Sequence, residues 1–344
     1  MAGAAVDVLH TLLQSTMVDI VMALIVAVMG LVSTSLSFAL VFGITMPFLG
    51  VLVRYRANYT PKTGAVRLDE EDGAPRSVAS IGYFGMMKRV HRLEGWAGLY
   101  KGIMPSIVTS LIALVAVVPI SIFVLPHGWV YVPLHLRWTI SLGMSLIPAL
   151  LLVPMQIIIN RAITTPHKLA AFDARTGLRV LLSPAERTQP LRLYLAPGVA
   201  LAILLESLIV PSLALLRVST KSLPGGFALG GALPVLLLTT ALITPLEVMT
   251  ARLTLQRRSG PGSAAVNSDE IPPPPVYSAE PVMEFRDTDV DGGEAPYTGL
   301  LDCTQKILAE EGWGVLTRAW WLTIVAMLLS AATPELLPPS RLLG

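Results

Sequence analysis

One carboxylate lies where water is scarce. Glu206 sits in Ala202-Ile203-Leu204-Leu205-Glu206-Ser207-Leu208, inside residues 193–216, which hold no other charge. A carboxylate at bilayer depth costs about 2.5–3.5 kcal/mol on insertion scales, so it faces a cavity, a partner or a proton. Two readings stand: a proton or cation site in a pore, or a protonated or snorkelling acid bonded to a neighbouring helix. Three arginines form the second group. Arg54, Arg161 and Arg252 each follow a proline by seven residues, after Pro47, Pro154 and Pro245. Guanidinium groups so placed could draw anions or rest among lipid headgroups. Asp19, near the start of an apolar run, suits a helix N-terminus. Covalent and metal chemistry find no support. His10, His91, His127, His135 and His167 lack metal-ligand spacing, Cys303 is the single cysteine, and no nucleophile–base pair or phosphate loop occurs. The expectation is a non-enzyme with no metal, no cofactor and no nucleic-acid partner.

The elements that would hold these residues are apolar blocks. The chain has 344 residues, 53% hydrophobic and 14% charged, where a soluble domain carries about 25% charge. Residues 17–53 hold one charge, Asp19, and residues 103–134, 138–160, 222–246 and 319–334 hold none. With 193–216 these make six blocks near the ~20 residues that cross a bilayer, none with the polar face of a surface helix. The last is the shortest, stopped by Pro334 and Glu335. Of 25 Lys and Arg, nine lie in 54–101, six in 161–192 and six in 252–318. These loops follow alternate blocks, so they share one side of the membrane, and the termini share the other. Residues 1–14 read neither as a secretory signal nor as an Arg-rich presequence.

Two phrases recur in order. One is the proline-to-arginine spacing. The other is Glu94-Gly95-Trp96-Ala97-Gly98-Leu99-Tyr100-Lys101-Gly102, echoed by Glu311-Gly312-Trp313-Gly314-Val315-Leu316-Thr317-Arg318-Ala319 and more faintly by Leu193-Tyr194-Leu195-Ala196-Pro197-Gly198. Recurrence at roughly 100 residues predicts triplication: a segment 1–14, then repeats over 15–127, 130–220 and 224–340. Each repeat is a span, a charged loop and a second span. Helical spacing predicts short loop helices over Ile81–Leu93, Ala174–Leu182 and Leu300–Ala309. Residues 257–296 contain Pro272-Pro273-Pro274-Pro275 among Gly, Ser, Asp and Glu, which predicts a flexible loop able to meet a protein partner as an extended ligand. Small residues mark the odd spans: Gly30, Ser33 and Ser35, then Ser141, Gly143 and Ser145, then Gly226 and Gly230.

Together these landmarks resemble the mitochondrial carrier family, over essentially the whole chain. The resemblance implies an all-α membrane protein, three tandem two-helix repeats forming a bundle of six tilted helices around a central cavity. It also implies a multi-pass protein of a mitochondrial membrane, inner or outer undecided. In that family each odd helix ends in proline, x, acid, x, x, base, x, base, and acids and bases of neighbouring helices pair to close one gate. Here the acidic slots hold Leu49, Gln156 and Glu247, the first basic slots Leu52, Ile159 and Thr250, and the last basic slots Arg54, Arg161 and Arg252. Such a gate retains one acid and loses its first-slot partners. The opposite gate, an aromatic-acidic pattern late in the even helices, has no counterpart in Val117–Val124, in Pro211–Val218 or before Thr333-Pro334-Glu335. Substrate contacts in the family fall about seven residues past the closing position of the second phrase. Counted from Gly102, Ala196 and Ala319, they are Thr109 and Ser110, Ile203 and Leu204, and Ala326 and Met327.

Two functions follow. The first is transport of a small solute by alternating access. With an apolar cavity and no cation at those positions, the solute is not a multiply charged anion, and Glu206 is its polar contact. The second is a carrier fold without transport, a scaffold or adaptor of the mitochondrial outer membrane, for example in membrane fusion or morphology. The lipid bilayer is the partner common to both.

Overall fold

In the computed structural model the described residues are 2–62, 81–124, 133–221, 226–257, 274–286 and 295–332. The long helices follow the apolar blocks. They are α1 (Ala2–Ala57), α3 (Ile103–Val124), α4 (Leu134–Thr164), α7 (Val199–Lys221), α8 (Gly226–Leu255) and α11 (Trp320–Ala332). The charged loops carry shorter ones: α2 (Tyr83–Leu99), α5 (Ala174–Leu181), α6 (Pro184–Thr188), α9 (Leu300–Glu310) and α10 (Trp313–Leu316). No strand occurs among the described residues, beyond one isolated antiparallel bridge between His167 and Val276.

Among the described residues three helices are long and apolar enough to cross a membrane: Leu24–Ala57, Trp138–Thr164 and Leu233–Leu255. The count becomes four if Tyr83–Leu99 and Ile103–Ala116, bent by 48°, make one span. The apolar helices Val199–Leu213 and Trp313–Leu329 are shorter. The described residues are thus all-helical, with three to four candidate membrane-crossing helices.

Contacts divide it into residues 1–48 and 49–344. In the first unit, α1 presents exposed Leu24, Leu31, Leu40 and Ile44, a surface that suits lipid rather than water. Its hydroxyls are satisfied within the helix: Thr34 donates to the Gly30 carbonyl and Thr45 to that of Val41, which removes the penalty of bare donors in hydrocarbon.

In the second unit the long helices pack in chain order, α3 on α4, α4 on α7, α7 on α8 and α8 on α11, with α4 also touching α8. Elements consecutive in sequence are commonly neighbours in space, and the long helices follow that rule. One core joins Val153 and Ile157 of α4 to Val199, to Ile243, Val248 and Leu253 of α8, and to Cys303 and Ile307 of α9. A second joins Val51 and Ala57 to Tyr83, Met86 and Val90 on the inner face of α2, and to Met283. The α2 spacing of Tyr83, Met86 and Val90 is the period that the sequence predicted for a loop helix.

Within the segment 257–296, expected to be flexible, residues 274–286 make contacts with the rest of the chain. Composition measures what a segment can bury by itself; this one uses anchors supplied by the rest of the chain. Met283 is 4% exposed, and the backbone of the segment pairs with three other stretches, as described below. Residues 258–273 and 287–294 lie outside the described residues.

Candidate functional site

The ends of the odd helices carry the densest polar chemistry. Arg54, Arg161 and Arg252 are 1%, 4% and 5% exposed, so they are seated neither among headgroups nor free to draw an anion. Each meets one glutamate. Arg54 Nη2 lies 2.7 Å from Glu94, and Arg161 contacts both oxygens of Glu186 at 2.7 and 3.0 Å. Arg252 grips Glu311 through both terminal nitrogens, one contact being 2.9 Å. The remaining donors find backbone carbonyls: Gly98 for Arg54; Thr254, Leu181 and Gln256 for Arg161; Asn58 and Arg56 for Arg252. Guanidinium groups paired with a carboxylate and bonded to carbonyls, with all five donors used in the case of Arg161, are the arrangement in which a buried charge is tolerated.

The partners come from the second phrase. Glu94 and Glu311 open it, and each meets a further cation, Lys101 for Glu94 and Arg318 at 4.0 Å for Glu311. Glu186 was not evident in the sequence, because the middle phrase has no Glu-Gly. Its signal was local: Ser183-Pro184-Ala185-Glu186 is a capping box, with Ser183 and Glu186 bonding each other's backbone N–H. Three clasps of one design thus tie each helix end to the loop that follows it.

Past each clasp the backbone turns through the left-handed region at Gly102 (φ 85°), Gly198 (φ 75°) and Ala319 (φ 57°), and in the first and last also directly after the glutamate, at Gly95 (φ 68°) and Gly312 (φ 98°). Gly102 and Gly198 match the closing positions better than Ala196 does, because the middle acid stands twelve residues before its turn, against eight in the other two. Counted from Gly198, the middle contact pair moves from Ile203 and Leu204 to Leu205 and Glu206. Ile203, Leu204 and Glu206 are half-buried on α7, as are Thr109 and Ser110 on α3, while Ala326 on α11 is exposed. Thr109 donates to the Pro105 carbonyl at 2.6 Å, so its hydroxyl is already engaged. The side chains of Asp19 and of 117–124 and 214–218, and residues 333–335, lie outside those described.

Between helices, one acid of the proline motif is paired. Glu247 lies 2.7 Å from Arg56 and accepts from Thr323 at 2.9 Å. The base is Arg56, one helical turn beyond Leu52, the slot expected to pair with it. Glu206 lies within electrostatic reach of Glu247 and Arg56. Gln156 donates to Asn160, and Asn160 to Thr254 on α8. Pro154 and Pro245 lie inside α4 and α8, and Pro47 inside α1. Thr244 and Thr250 are buried hydroxyls with no hydrogen-bond partner among the described residues.

Across this face runs residues 274–286. The Tyr277 N–H donates to the Pro166 carbonyl, and the Lys168 N–H to that of Pro275. The ammonium groups of Lys101 and Lys168 lie 4.2 and 5.3 Å from the Tyr277 ring centroid. Glu280 meets Arg89 at 3.1 Å on α2. The Glu284 N–H donates to Asn58, and the Tyr59 N–H to the Glu284 carbonyl, beyond the end of α1. Arg286 is bidentate to Glu310 on α9 at 2.7 and 2.9 Å. Cys303, on α9, is fully buried, and burial pushes its thiol up to about 12, which leaves it inert.

No protein-family model matches the chain, and no curated protein matches it at a significant level.

Proposed function

We propose that this chain is a carrier-like bundle of six helices in three repeats, residing in a mitochondrial membrane, and that it serves as a scaffold rather than a transporter. The observation that carries this reading is the strap of residues 274–286. It joins the stretch after α4, the inner loop helix α2, the end of α1 and α9. Those are the parts of three successive repeats that alternating access would have to separate on the charged-loop side. Two charge contacts of the strap, Glu280–Arg89 and Arg286–Glu310, would have to break for the face to open. The three arginine–glutamate clasps and the shared left-handed turns support the threefold arrangement itself. A scaffold also needs no cation in the cavity, and Ile203, Leu204 and Ala326 supply none.

A second reading, transport of a neutral, cationic or amphipathic solute, is favoured by Glu206. It occupies the contact position of the middle repeat when the count starts from Gly198, and it shares a neighbourhood with Glu247 and Arg56. Uptake into liposomes separates the two. Purified protein should take up neither nucleotides, phosphate, di- and tricarboxylates nor small cations, whether intact or with the strap freed by Glu280→Ala and Tyr277→Ala. Saturable uptake that disappears in Glu206→Gln would overturn the scaffold reading and establish the carrier.

A further inference from the structure

The strap contains Pro274-Pro275-Val276-Tyr277. Adjacent prolines fix φ near −65° and remove two N–H donors, so such a segment is extended before any partner arrives and loses little entropy on docking. Protein modules of the WW class cradle the prolines between aromatic side chains, and a tyrosine two positions after the second proline fills an adjoining pocket. In this structure the two halves of that ligand are treated differently. Pro275 is exposed and Val276 is 46% exposed. Tyr277 is turned inward, its ring under Lys101 and Lys168 and its N–H on the Pro166 carbonyl at 3.1 Å. The Pro274 carbonyl lies 2.7 Å from His167 Nδ1, and the Pro275 carbonyl accepts from the Lys168 N–H at 2.8 Å. Pro275 and Val276 are on display, while Pro274 and Tyr277 are half-buried and engaged by the rest of the chain.

We infer that residues 274–277 are a concealed ligand for a proline-binding module of the WW class, and that their seat on Lys101 and residues 166–168 is the latch that controls access. Binding requires the tyrosine to leave its two ammonium neighbours and the two backbone bonds to break. The partner therefore competes with the chain's own fold, and its apparent affinity falls by the fraction of molecules in which the strap is free. Release by a partner would also unlace the charged-loop face. The inference deepens the scaffold reading by naming a partner, but it does not depend on whether the bundle transports.

The test uses an immobilised WW domain that prefers Pro-Pro-x-Tyr, presented with three analytes. These are a peptide of residues 274–286, the intact full-length protein in detergent, and a full-length Arg89→Ala/Glu280→Ala variant. That variant weakens the strap while leaving Lys101 on Glu94 and every clasp intact. The peptide should bind; the intact chain should bind on the order of 10- to 100-fold more weakly, and the variant should recover much of the difference. Tyr277→Ala should abolish binding in all three. The inference fails if the peptide does not bind, if the intact chain equals the peptide, if neither full-length protein binds, or if Tyr277→Ala retains affinity. Solute uptake in liposomes, by contrast, bears on the scaffold reading and leaves this result unchanged.

Discussion

The clasp in the middle of the chain makes the sharpest energetic prediction. Arg161 donates five hydrogen bonds, two to Glu186 at 2.7 and 3.0 Å and three to carbonyls between 2.9 and 3.1 Å, and the two side chains are 4% and 3% exposed. Glu186→Ala leaves that guanidinium buried without its counter-charge, which costs about 3–5 kcal/mol. At a few degrees of melting temperature per kcal/mol, that is a fall on the order of 10 °C. Arg161→Ala should cost at least as much, since it orphans three carbonyls as well as a carboxylate. The assay is supplied by the chain. Cys303 is the sole cysteine, its thiol is suppressed by burial, and it shares a core with Leu182 and Leu193 next to the clasp. A thiol-reactive dye should therefore stay dark until unfolding and report the melting temperature directly. Lys306→Ala is the control: its pair with Asp302 is a partly exposed i,i+4 contact, worth a few tenths of a kcal/mol. If Glu186→Ala melts no lower than Lys306→Ala, the clasp does not hold the fold and the argument from burial is wrong.

Other outcomes follow from single contacts. Glu247→Gln should lower stability by about 1–3 kcal/mol, because Arg56, 6% exposed, loses its counter-charge; the Cys303 melt checks it. Gly198→Ala should be worse than Gly95→Ala: both have positive φ (75° and 68°), but only at Gly198 would the new Cβ meet backbone, 2.6 Å from the Leu300 nitrogen, whereas Gly95 has open space around it. Ala319→Gly should raise the melting point slightly, since an alanine at φ 57° carries about 1–2 kcal/mol of strain, partly offset by the flexibility of an unfolded glycine. Trypsin should cut after Arg286 slowly in the intact chain and several-fold faster in Glu310→Ala, because the scissile arginine is held by that carboxylate; equal rates would mean the strap is not pinned there.

Much of the scaffold was legible before any coordinates, and the reasons for the misses are physical. The seven-residue spacing from Pro154 to Arg161 and from Pro245 to Arg252 locates the clasp arginines, and Glu94 and Glu311 stand out because a Glu-Gly pair is rare in such apolar company. Glu186 stayed hidden since its repeat replaces that pair with a capping box and inserts four residues before the turn. Arg56 was passed over because pairing was sought at fixed slots, while long side chains readily bridge one further turn. The contacts of the strap are illegible for a different reason. Its order comes from Tyr277, Met283 and Arg286 finding partners more than a hundred residues away or across a loop, information that no local window contains.

The clasps and the contacts between repeats differ in how far apart their residues lie along the chain, and this orders assembly. Each clasp closes over 40, 25 or 59 residues, so each helical hairpin can lock as soon as it has been synthesised and inserted. Arg252 to the Asn58 carbonyl spans 194 residues and Arg318 to Asn58 spans 260. Those closures wait for the last hairpin, and non-local contacts form slowly because loop-closure entropy precedes the gain. A ribosome-stalled or truncated chain ending before residue 295 would therefore hold two closed clasps around an unfinished seam, with the Asn58 carbonyl missing its Arg318 donor. Quality-control machinery that recognises half-built membrane bundles would find its target at that seam rather than at the hairpins.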